Sequence, residues 1–420
     1  MVADGMSFGA LQLGDLFLRE KHGRQSHWVG ALTRDGFRRA LMDTSSADSI
    51  VTDSAAAATA WGIGERVDNQ MIGLTPDGRT PTPILIHAQQ GGKATGVVTT
   101  TRLTHATPAG FYANILTNRD DEAAIASQLV ERPVDVMLGG GGKFIDPVIA
   151  GGKPGIRVVR SSAELRASDA AAPERLLGVF HADHMSFALD RPEAEPTLAE
   201  MTRVALDRLA RSPDGFILQV EGGRVDHAAH YNDAGALMND QAAFDDAIGV
   251  AIDFATARDD TLLILTTDHA CANPGLTDYG PAGRRGLDRA LQVRRSFLWI
   301  RAQANMHART GGGYQPELVR EIIERATGVA LPEDDMATVT RWLAGDPVDP
   351  FNHANKDFAP LGSALANHFA IAFLSPNHTA DFVEVTAFGP GSEALPPRVT
   401  IEALHGLMTG ALDLPPARQI

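Results

Sequence analysis

The stretch GFILQVEGGRVDHAAH, residues 215–230, joins a short apolar run to a set of ionisable side chains. Its apolar half, residues 215–220, is typical of a strand that is buried on both faces of a parallel sheet. Comparable runs occur at residues 94–98, 134–138 and 261–265, and apolar residues between them repeat at helical spacing, as in Leu198, Met201, Ala205 and Leu209. Alternating strands and helices of this kind predict an α/β fold with a mostly parallel sheet.

Ionisable and hydroxyl side chains follow several of these runs, and another lies just before an apolar run at residues 382–387. The residues at these positions are Asp4, His105, Thr107, Glu221, Asp226, His227, His230, Asp268, His269 and His378. Each one alone could be a turn residue or a surface pair. Ligands of α/β sheets bind beyond the carboxyl ends of the strands, however, so the joint placement favours a site. Carboxylates mixed with imidazoles suit zinc, and oxygen-rich sets suit magnesium.

A second stretch, VTDSAAAATAW at residues 51–61, places a serine before a run of alanines. We predict that residues 49–52 end a strand and that the alanines form a helix, for which Asp53 or Ser54 is the N-cap. A helix N-terminus favours negative charge, and a nearby zinc ion would stabilise a serine alkoxide. Ser54 is therefore predicted to be a nucleophile, a role that is compatible with capping.

Composition limits the class of protein. The 420 residues include 52 acidic and 37 basic ones, and the net charge of -15 disfavours nonspecific nucleic-acid binding. An anionic substrate would need local cations, which bound metals would supply. Cys271 is the only cysteine, so an intrachain disulfide or a thiolate metal cluster is excluded. No apolar run approaches the roughly 20 residues of a membrane span, and the opening MVADGMS does not have the pattern of a signal peptide.

Together these motifs resemble those of the alkaline phosphatase family. VTDSAAAATAW is similar to its nucleophile motif, and EGGRVDHAAH, TTDH, NHTA and ADGMS are similar to its metal-ligand segments. The resemblance implies a three-layer α/β/α sandwich with a large, mostly parallel central sheet and an inserted crown-like cap. It also implies metal-dependent hydrolysis of small-molecule phosphate monoesters at alkaline pH, through a phosphoserine intermediate at Ser54.

The resemblance assigns ligands residue by residue. It implies one zinc ion held by Asp226, His230 and His378, a second held by Asp4, Asp268 and His269, and magnesium held by Asp4, Thr107 and Glu221. Histidines stand at positions 105 and 227, where some family members carry an aspartate and a lysine. His105 and His227 are therefore expected to modulate the third site, where zinc could replace magnesium.

The family also binds phosphate through an arginine. Arg119, in NILTNRDD, is the candidate here, although Asn118 stands at the usual position by register. A guanidinium fork matches two phosphate oxygens, and Asp53 is expected to orient it by pairing with it.

Residues 273–370 are rich in Gly, Pro and Arg, with scattered helical patches. We predict an insertion or cap subdomain there, within a catalytic domain formed by residues 1–272 and 371–420. The resemblance further implies a periplasmic or extracellular location and allows a homodimer. Because the chain opens inside the first expected strand, we expect an N-terminus that is trimmed or mis-started.

Two alternatives stay open at this point. A phosphodiesterase or sulfatase of the same superfamily would share the metal ligands, although type I sulfatases use C/S-x-P-x-R and Ser54 is followed by alanines. Diesterases often use threonine as the nucleophile. A non-catalytic metal- or phosphate-binding protein could retain the fold, but it is expected to lack the nucleophile or a ligand, and none is missing.

Overall fold

The computed structural model describes residues 1–310, 313–346 and 358–414. The strands are β1 Phe37–Asp43, β2 Ala94–Arg102, β3 Val136–Gly140, β4 Ile156–Val159, β5 Arg175–Val179, β6 Phe216–Glu221, β7 Leu263–Thr266, β8 Ala270–Cys271, β9 Gly275–Leu276, β10 Ile371–Ala372, β11 His378–Thr379, β12 Val383–Phe388 and β13 Arg398–Thr400. The helices are α1 Phe8–His22, α2 His27–Ala31, α3 Ser54–Ile63, α4 Ile84–Gln90, α5 Ala106–Ala109, α6 Glu122–Glu131, α7 Gly142–Ile149, α8 Ser162–Arg166, α9 Leu198–Leu209, α10 Arg224–His230, α11 Ala234–Thr256, α12 Gly280–Ala290, α13 Phe297–Arg309, α14 Pro316–Thr327, α15 Glu333–Leu343, α16 Ala359–Phe369 and α17 Ala403–Ala411. In the described ranges, no helix combines the length and apolar character that a bilayer crossing needs.

The central sheet joins two sets of strands through the N-terminus. One set has the order β4-β5-β3-β2-β6 and the other has the order β7-β12-β1-β13. Val2 lies between them, with parallel bridges to Glu221 at the end of β6 and to Thr266 at the end of β7. Pairing in the sheet is parallel except for β12, which runs antiparallel to β1 and β7. The predicted mostly parallel sheet is confirmed.

Hydrophobic side chains cover both faces of this sheet. Successive residues of a strand point to opposite faces, so neighbours in one strand belong to different layers. On one face, Val98, Leu138 and Leu176 join a buried cluster with residues of α1, α9 and α11. On the other face, Val97, Met137 and Leu177 join a cluster with residues of α3, α4 and α6. The resulting helix, sheet and helix layers confirm the three-layer sandwich.

The segment before the helix that begins at Ser54 is a loop, so the prediction that residues 49–52 end a strand was wrong. Strand β1 stops at Asp43, and local hydrogen bonds organise the chain after it. The Ser46 amide donates to the Ser49 carbonyl at 3.0 Å, and the Val51 amide donates to Ser49 Oγ at 3.2 Å. Hydroxyl groups that bond nearby backbone in this way compete with strand pairing.

The helix expected after this loop is present. α3 begins at Ser54, and Asp53 is its N-cap, accepting from the Ala56 amide at 2.9 Å. Five of its ten residues are alanine, and all ten are buried. Small side chains therefore let this helix pack closely against the elements around it, with its N-terminus at the site described below.

The region between residues 273 and 370 is more helical than its composition indicated. It contributes α12 to α16, and Leu287, Phe297 and Ile323 belong to the same buried cluster as one face of the sheet. Residues 347–357 lie outside the described part of the chain. The division into a catalytic domain of residues 1–272 and 371–420 and a cap of residues 273–370 stays a prediction.

Candidate active site

Polar residues meet where the N-terminal segment, β2, β6 and β7 end side by side. Gly5 makes the turn after Asp4, with a φ of +69°. A Cβ on Gly5 would lie 2.4 Å from Asp226 Oδ1, which is closer than real Cβ contacts. Glycine is therefore required here, both for the left-handed backbone and for the close approach of two chain segments.

The first group of possible metal ligands contains Asp226, His230 and His378. α10 puts Asp226 and His230 one turn apart, and His230 Nε2 lies 3.2 Å from Asp226 Oδ2. The His378 Nε2 atom lies 3.7 Å from Asp226 Oδ1. Ligand atoms of these residues and of Cys271 all lie within 4.8 Å of one another.

The outer partners of the two imidazoles orient the rings in this group. His230 Nδ1 donates to the Pro376 carbonyl at 2.6 Å, and His378 Nδ1 donates to the Thr52 carbonyl at 2.9 Å. A carbonyl only accepts, so Nδ1 of each ring carries a proton, and the two Nε2 atoms point toward each other, 3.0 Å apart. Such outer hydrogen bonds are typical of histidines that ligate metals through the other ring nitrogen, which is Nε2 here.

The second group contains Asp4, Asp268 and His269, whose ligand atoms also lie within 4.8 Å of one another. His269 Nε2 lies 3.6 Å from Asp4 Oδ1 and 3.3 Å from Asp268 Oδ2. Burial, together with the neighbouring carboxylates, raises the pKa of Asp4 well above its usual range. Burial raises the pKa of Asp268 to about 7. Carboxyls in this state are destabilised as anions, and a cation would relieve that cost.

The third group combines oxygen ligands with one imidazole. Asp4, His105 and Glu221 offer ligand atoms within 4.8 Å of one another, and Thr107 Oγ1 donates to Asp4 Oδ2 at 3.3 Å. Burial raises the pKa of Glu221 to about 7. The His227 ring lies 5.6 Å from the His105 ring, and its Nδ1 accepts from Arg224. His227 thus neighbours the group through His105.

Buried oxygens in all three groups lack a hydrogen-bond partner among the described residues. These atoms are Asp4 Oδ1, Glu221 Oε1, Asp226 Oδ1 and Asp268 Oδ2. Burying carboxylate oxygens without partners is costly, whereas coordination to divalent cations would satisfy them. The donor sets of all three groups therefore fit bound metal ions.

Ser54 and Arg119 flank the second and third groups. Ser54 Oγ lies 3.2 Å from His269 Nε2. Arg119 donates from Nη1 to Asp53 Oδ2 and from Nη2 to His105 Nε2, both at 3.1 Å. Asn118 instead uses its side chain to accept from the Asp120 amide at 2.9 Å. The structure thus brings Arg119, rather than Asn118, to Asp53.

Sequence reasoning missed Cys271 as a neighbour of the first group. β8 pairs antiparallel with β11, which sets Cys271 opposite His378. Residues directly opposite in an antiparallel pair share a face of the ribbon. The sequence did offer one indication, because Cys271 comes two residues after His269 and residues two apart in an extended segment point to the same side.

His184 is a second neighbour of these groups, although its HADH segment, residues 181–184, has only two histidines and two histidines seldom complete a metal site. In the structure its ring lies 4.4 Å from the His227 ring and 5.4 Å from the His105 ring. Its Nε2 lies 2.5 Å from Arg102 Nη1. No spacing rule links residue 184 to residues 105 and 227, since the fold alone brings them together.

Comparison with known proteins agrees with this geometry. The family model described as alkaline phosphatase matches residues 1–411. Alkaline phosphatase 3 of Bacillus subtilis is 35% identical over 366 residues, which cover 82% of this chain and 73% of that protein. Alkaline phosphatase 4 of the same organism is 29% identical over 356 residues, with the same coverage. The crystal structure of Thermus thermophilus alkaline phosphatase superposes with a TM-score of 0.90 at 31% identity, covering 100% of this chain and 91% of that one. This chain therefore belongs to the alkaline phosphatase family and is an enzyme that hydrolyses phosphate monoesters.

Proposed function

We propose that this enzyme hydrolyses its substrates through a phosphoserine intermediate at Ser54. The observation that carries the proposal is the position of Ser54 Oγ, at the N-terminus of α3 and 3.2 Å from His269 Nε2. In the first step the Oγ–P bond forms as the ester P–O bond breaks, and the proton that the Ser54 hydroxyl gives up goes to the departing oxygen, which leaves as the alcohol. In the second step a water oxygen bonds to phosphorus, the Oγ–P bond breaks, a proton of that water returns to Oγ, and inorganic phosphate leaves.

We propose zinc for the first two groups, because both mix imidazole with carboxylate. The first group is Asp226, His230 and His378, and the second is Asp4, Asp268 and His269. Zinc there would supply the Lewis acidity that lowers the pKa of a serine hydroxyl and of a water. Asp4, Thr107 and Glu221 offer oxygens, which suit magnesium. His105 adds a nitrogen donor to that third group, so zinc could replace magnesium there.

The chain's own residues bind and orient the phosphate in this proposal. We name Arg119, with Asp53 and His105 as its two hydrogen-bond partners, the phosphate grip. A guanidinium has five N–H groups, and these two contacts use two of them. The remaining N–H groups can bind phosphate oxygens, and Asp53, being next to Ser54 in the chain, ties the guanidinium to the nucleophile.

Trapping the intermediate tests the proposal. The enzyme is mixed with a phosphate monoester, quenched in acid during turnover and digested, and the modified residue is mapped by mass spectrometry. We expect phosphate on Ser54 and none in Ser54→Ala. Ser162→Ala, which removes a buried serine at the start of α8, is the control and should still be phosphorylated at Ser54. Phosphate on another residue, or none at all, would contradict the mechanism.

We also propose a homodimer located in the periplasm or outside the cell, as the family resemblance implies. Light scattering of the purified protein tests the first point. Fractionation of cells that express the full-length gene tests the second.

A further inference from the structure

The Asp53 carboxylate connects the nucleophile helix to the phosphate grip. Its Oδ1 accepts from the Ala56 amide and caps α3, while its Oδ2 accepts from Arg119 Nη1. Because Ser54 follows directly, the orientation of this carboxylate sets how Arg119 lies relative to the nucleophile. Any further group that fixes Asp53 Oδ2 acts on both.

Gln70 contacts both ends of this connection. Its backbone amide and its side-chain Nε2 each donate to Asp53 Oδ2 at 3.1 Å. Its carbonyl accepts from the Arg119 backbone amide at 2.8 Å. One residue thus makes two hydrogen bonds to Asp53 and one to the main chain that carries the guanidinium.

The backbone at Gln70 is left-handed, with a φ of +74°. Glycine adopts this conformation without steric cost, whereas a residue with a Cβ is strained in it. Glycine would still offer the backbone amide and carbonyl, but it would lose the side-chain donor to Asp53. Strained residues of this kind concentrate at functional sites. The side-chain amide is therefore the part of Gln70 that offsets the strain.

Neighbouring contacts hold this segment in place. Asn69 Oδ1 accepts from the Asp53 amide at 2.9 Å. Two residues beyond Gln70, Ile72 bridges Ile115, whose amide donates to the Ile72 carbonyl at 2.8 Å. The segment that contains Gln70 therefore runs beside the segment that leads to Arg119, and both are anchored.

We propose that Gln70 is a positioning residue for phosphate binding, which acts by fixing Asp53 and Arg119 in one hydrogen-bond network. The proposal rests on the proposed role of Arg119. The two donors from Gln70 supply hydrogen bonds to the Asp53 carboxylate. Arg119 therefore uses only one N–H group on Asp53, and its other N–H groups are left for His105 and the phosphate. Without the side-chain amide, Asp53 Oδ2 loses one of its two donors from Gln70, so both Asp53 and the guanidinium are held less firmly in their orientation toward the phosphate.

Inhibition by inorganic phosphate tests this role in the metal-loaded enzyme. For Gln70→Ala and Gln70→Gly we expect the inhibition constant and KM to rise together by about 3- to 10-fold, with kcat within about 2-fold, since a neighbour of the binding group is lost rather than the group itself. Glycine adopts the backbone conformation of residue 70 without strain, so Gln70→Gly shows the effect of losing the side-chain amide without an added effect on folding. Gln292→Ala, at an exposed position after α12, is the control and should match wild type. Wild-type inhibition in Gln70→Gly would overturn the proposal.

A double-mutant cycle separates positioning from a merely structural effect. In an Arg119→Ala background, Gln70→Ala should weaken phosphate binding no further, because the group that it positions is gone. Further weakening there would mean that Gln70 acts independently of Arg119 and would overturn the proposal. If Arg119→Ala alone leaves phosphate inhibition unchanged, the proposed phosphate grip is wrong, and the role of Gln70 fails with it. Metal content is measured in every variant to show that the site is intact.

Discussion

The metal-ligand groups and the phosphate grip lie side by side, but different parts of the fold hold them. Asp4, Asp268 and His269 follow strand ends of the central sheet and are fully buried. Arg119 and its partner Asp53 lie in segments outside the helices and strands, and Gln70 beside them is exposed. The sheet fixes its ligands through paired backbone on both sides, whereas the grip depends on a few side-chain hydrogen bonds.

This difference has an energetic consequence. A single side-chain hydrogen bond contributes about 0.5–1.5 kcal/mol net, and about 1.5–3 kcal/mol where one partner is charged. Loss of a buried ligand instead leaves other charges unpaired, which costs more. We therefore expect substitutions in the metal-ligand groups to abolish metal binding, and substitutions in the phosphate grip to weaken phosphate binding only partly.

Ser54 lies beside both the second metal-ligand group and the phosphate grip, so we expect its removal to have the largest effect on activity. Ser54→Ala should lower kcat by about 1,000-fold or more, because the nucleophile is lost while binding and metals remain. Metal content by mass spectrometry should equal that of wild type. Turnover near the wild-type value would show that hydrolysis does not pass through Ser54.

Removing a buried ligand tests the expectation for the metal-ligand groups. Asp226→Ala should weaken metal binding at the first group by more than about 100-fold, since even outer partners of a ligand contribute 10- to 100-fold. Dialysis followed by metal analysis should then recover fewer ions per chain than for wild type. Asp214→Ala, an exposed aspartate in the loop before β6, is the matched control and should keep full metal content. Equal metal content in the two variants would contradict the assignment of Asp226.

Sequence reasoning succeeded where one local rule decides the outcome. Apolar runs predicted β2, β3, β6, β7 and β12, because strands buried on both faces need continuous apolar stretches. The alanine run predicted α3 through helix propensity. Residues that follow strands were expected to meet at one edge, and the structure brings Asp4, Asp268 and His269 together there.

The misses share a different cause. Residues 49–52 have strand-like composition, yet Ser49 supplies local hydrogen bonds that replace a ladder. The positive φ of Gln70 and its contacts to Asp53 depend on how separate loops pack, which no local pattern encodes. The helices between residues 273 and 370 were underestimated because glycines occupy buried positions in them, as Gly283 and Gly286 do in α12, and this weakens the apolar periodicity.

Arg119→Ala tests the expectation for the phosphate grip. The inhibition constant of inorganic phosphate should rise by about 10- to 100-fold, the effect of losing charge-assisted hydrogen bonds to one ligand. Metal content should stay unchanged, in contrast to Asp226→Ala. Asn118→Ala is the control from the same loop, since its side chain accepts from the Asp120 amide at 2.9 Å. If Asn118→Ala weakens phosphate binding while Arg119→Ala does not, then residue 118, and not residue 119, binds the phosphate.

His105 is the residue that links the two regions. It offers a ligand atom to the group of Asp4 and Glu221, and its Nε2 accepts from Arg119 Nη2. Burial and the Arg119 charge lower the pKa of His105 well below its usual range, so the ring is neutral. A neutral imidazole adds no negative charge to attract a dication, and nitrogen suits zinc better than magnesium.

His105→Asp should therefore change the third group while leaving the grip nearly intact. An aspartate adds one negative charge near Asp4 and Glu221, so we expect the magnesium concentration for half-maximal activation to fall by about 3- to 10-fold. Inhibition by excess zinc should weaken, because oxygen ligands favour magnesium. A carboxylate can still accept from Arg119, so the phosphate inhibition constant should stay within about 3-fold of wild type. Activation titrations with magnesium, repeated at several zinc concentrations, measure both effects. Superimposable magnesium curves for wild type and His105→Asp would show that His105 does not influence the third site, and the two regions would then be independent.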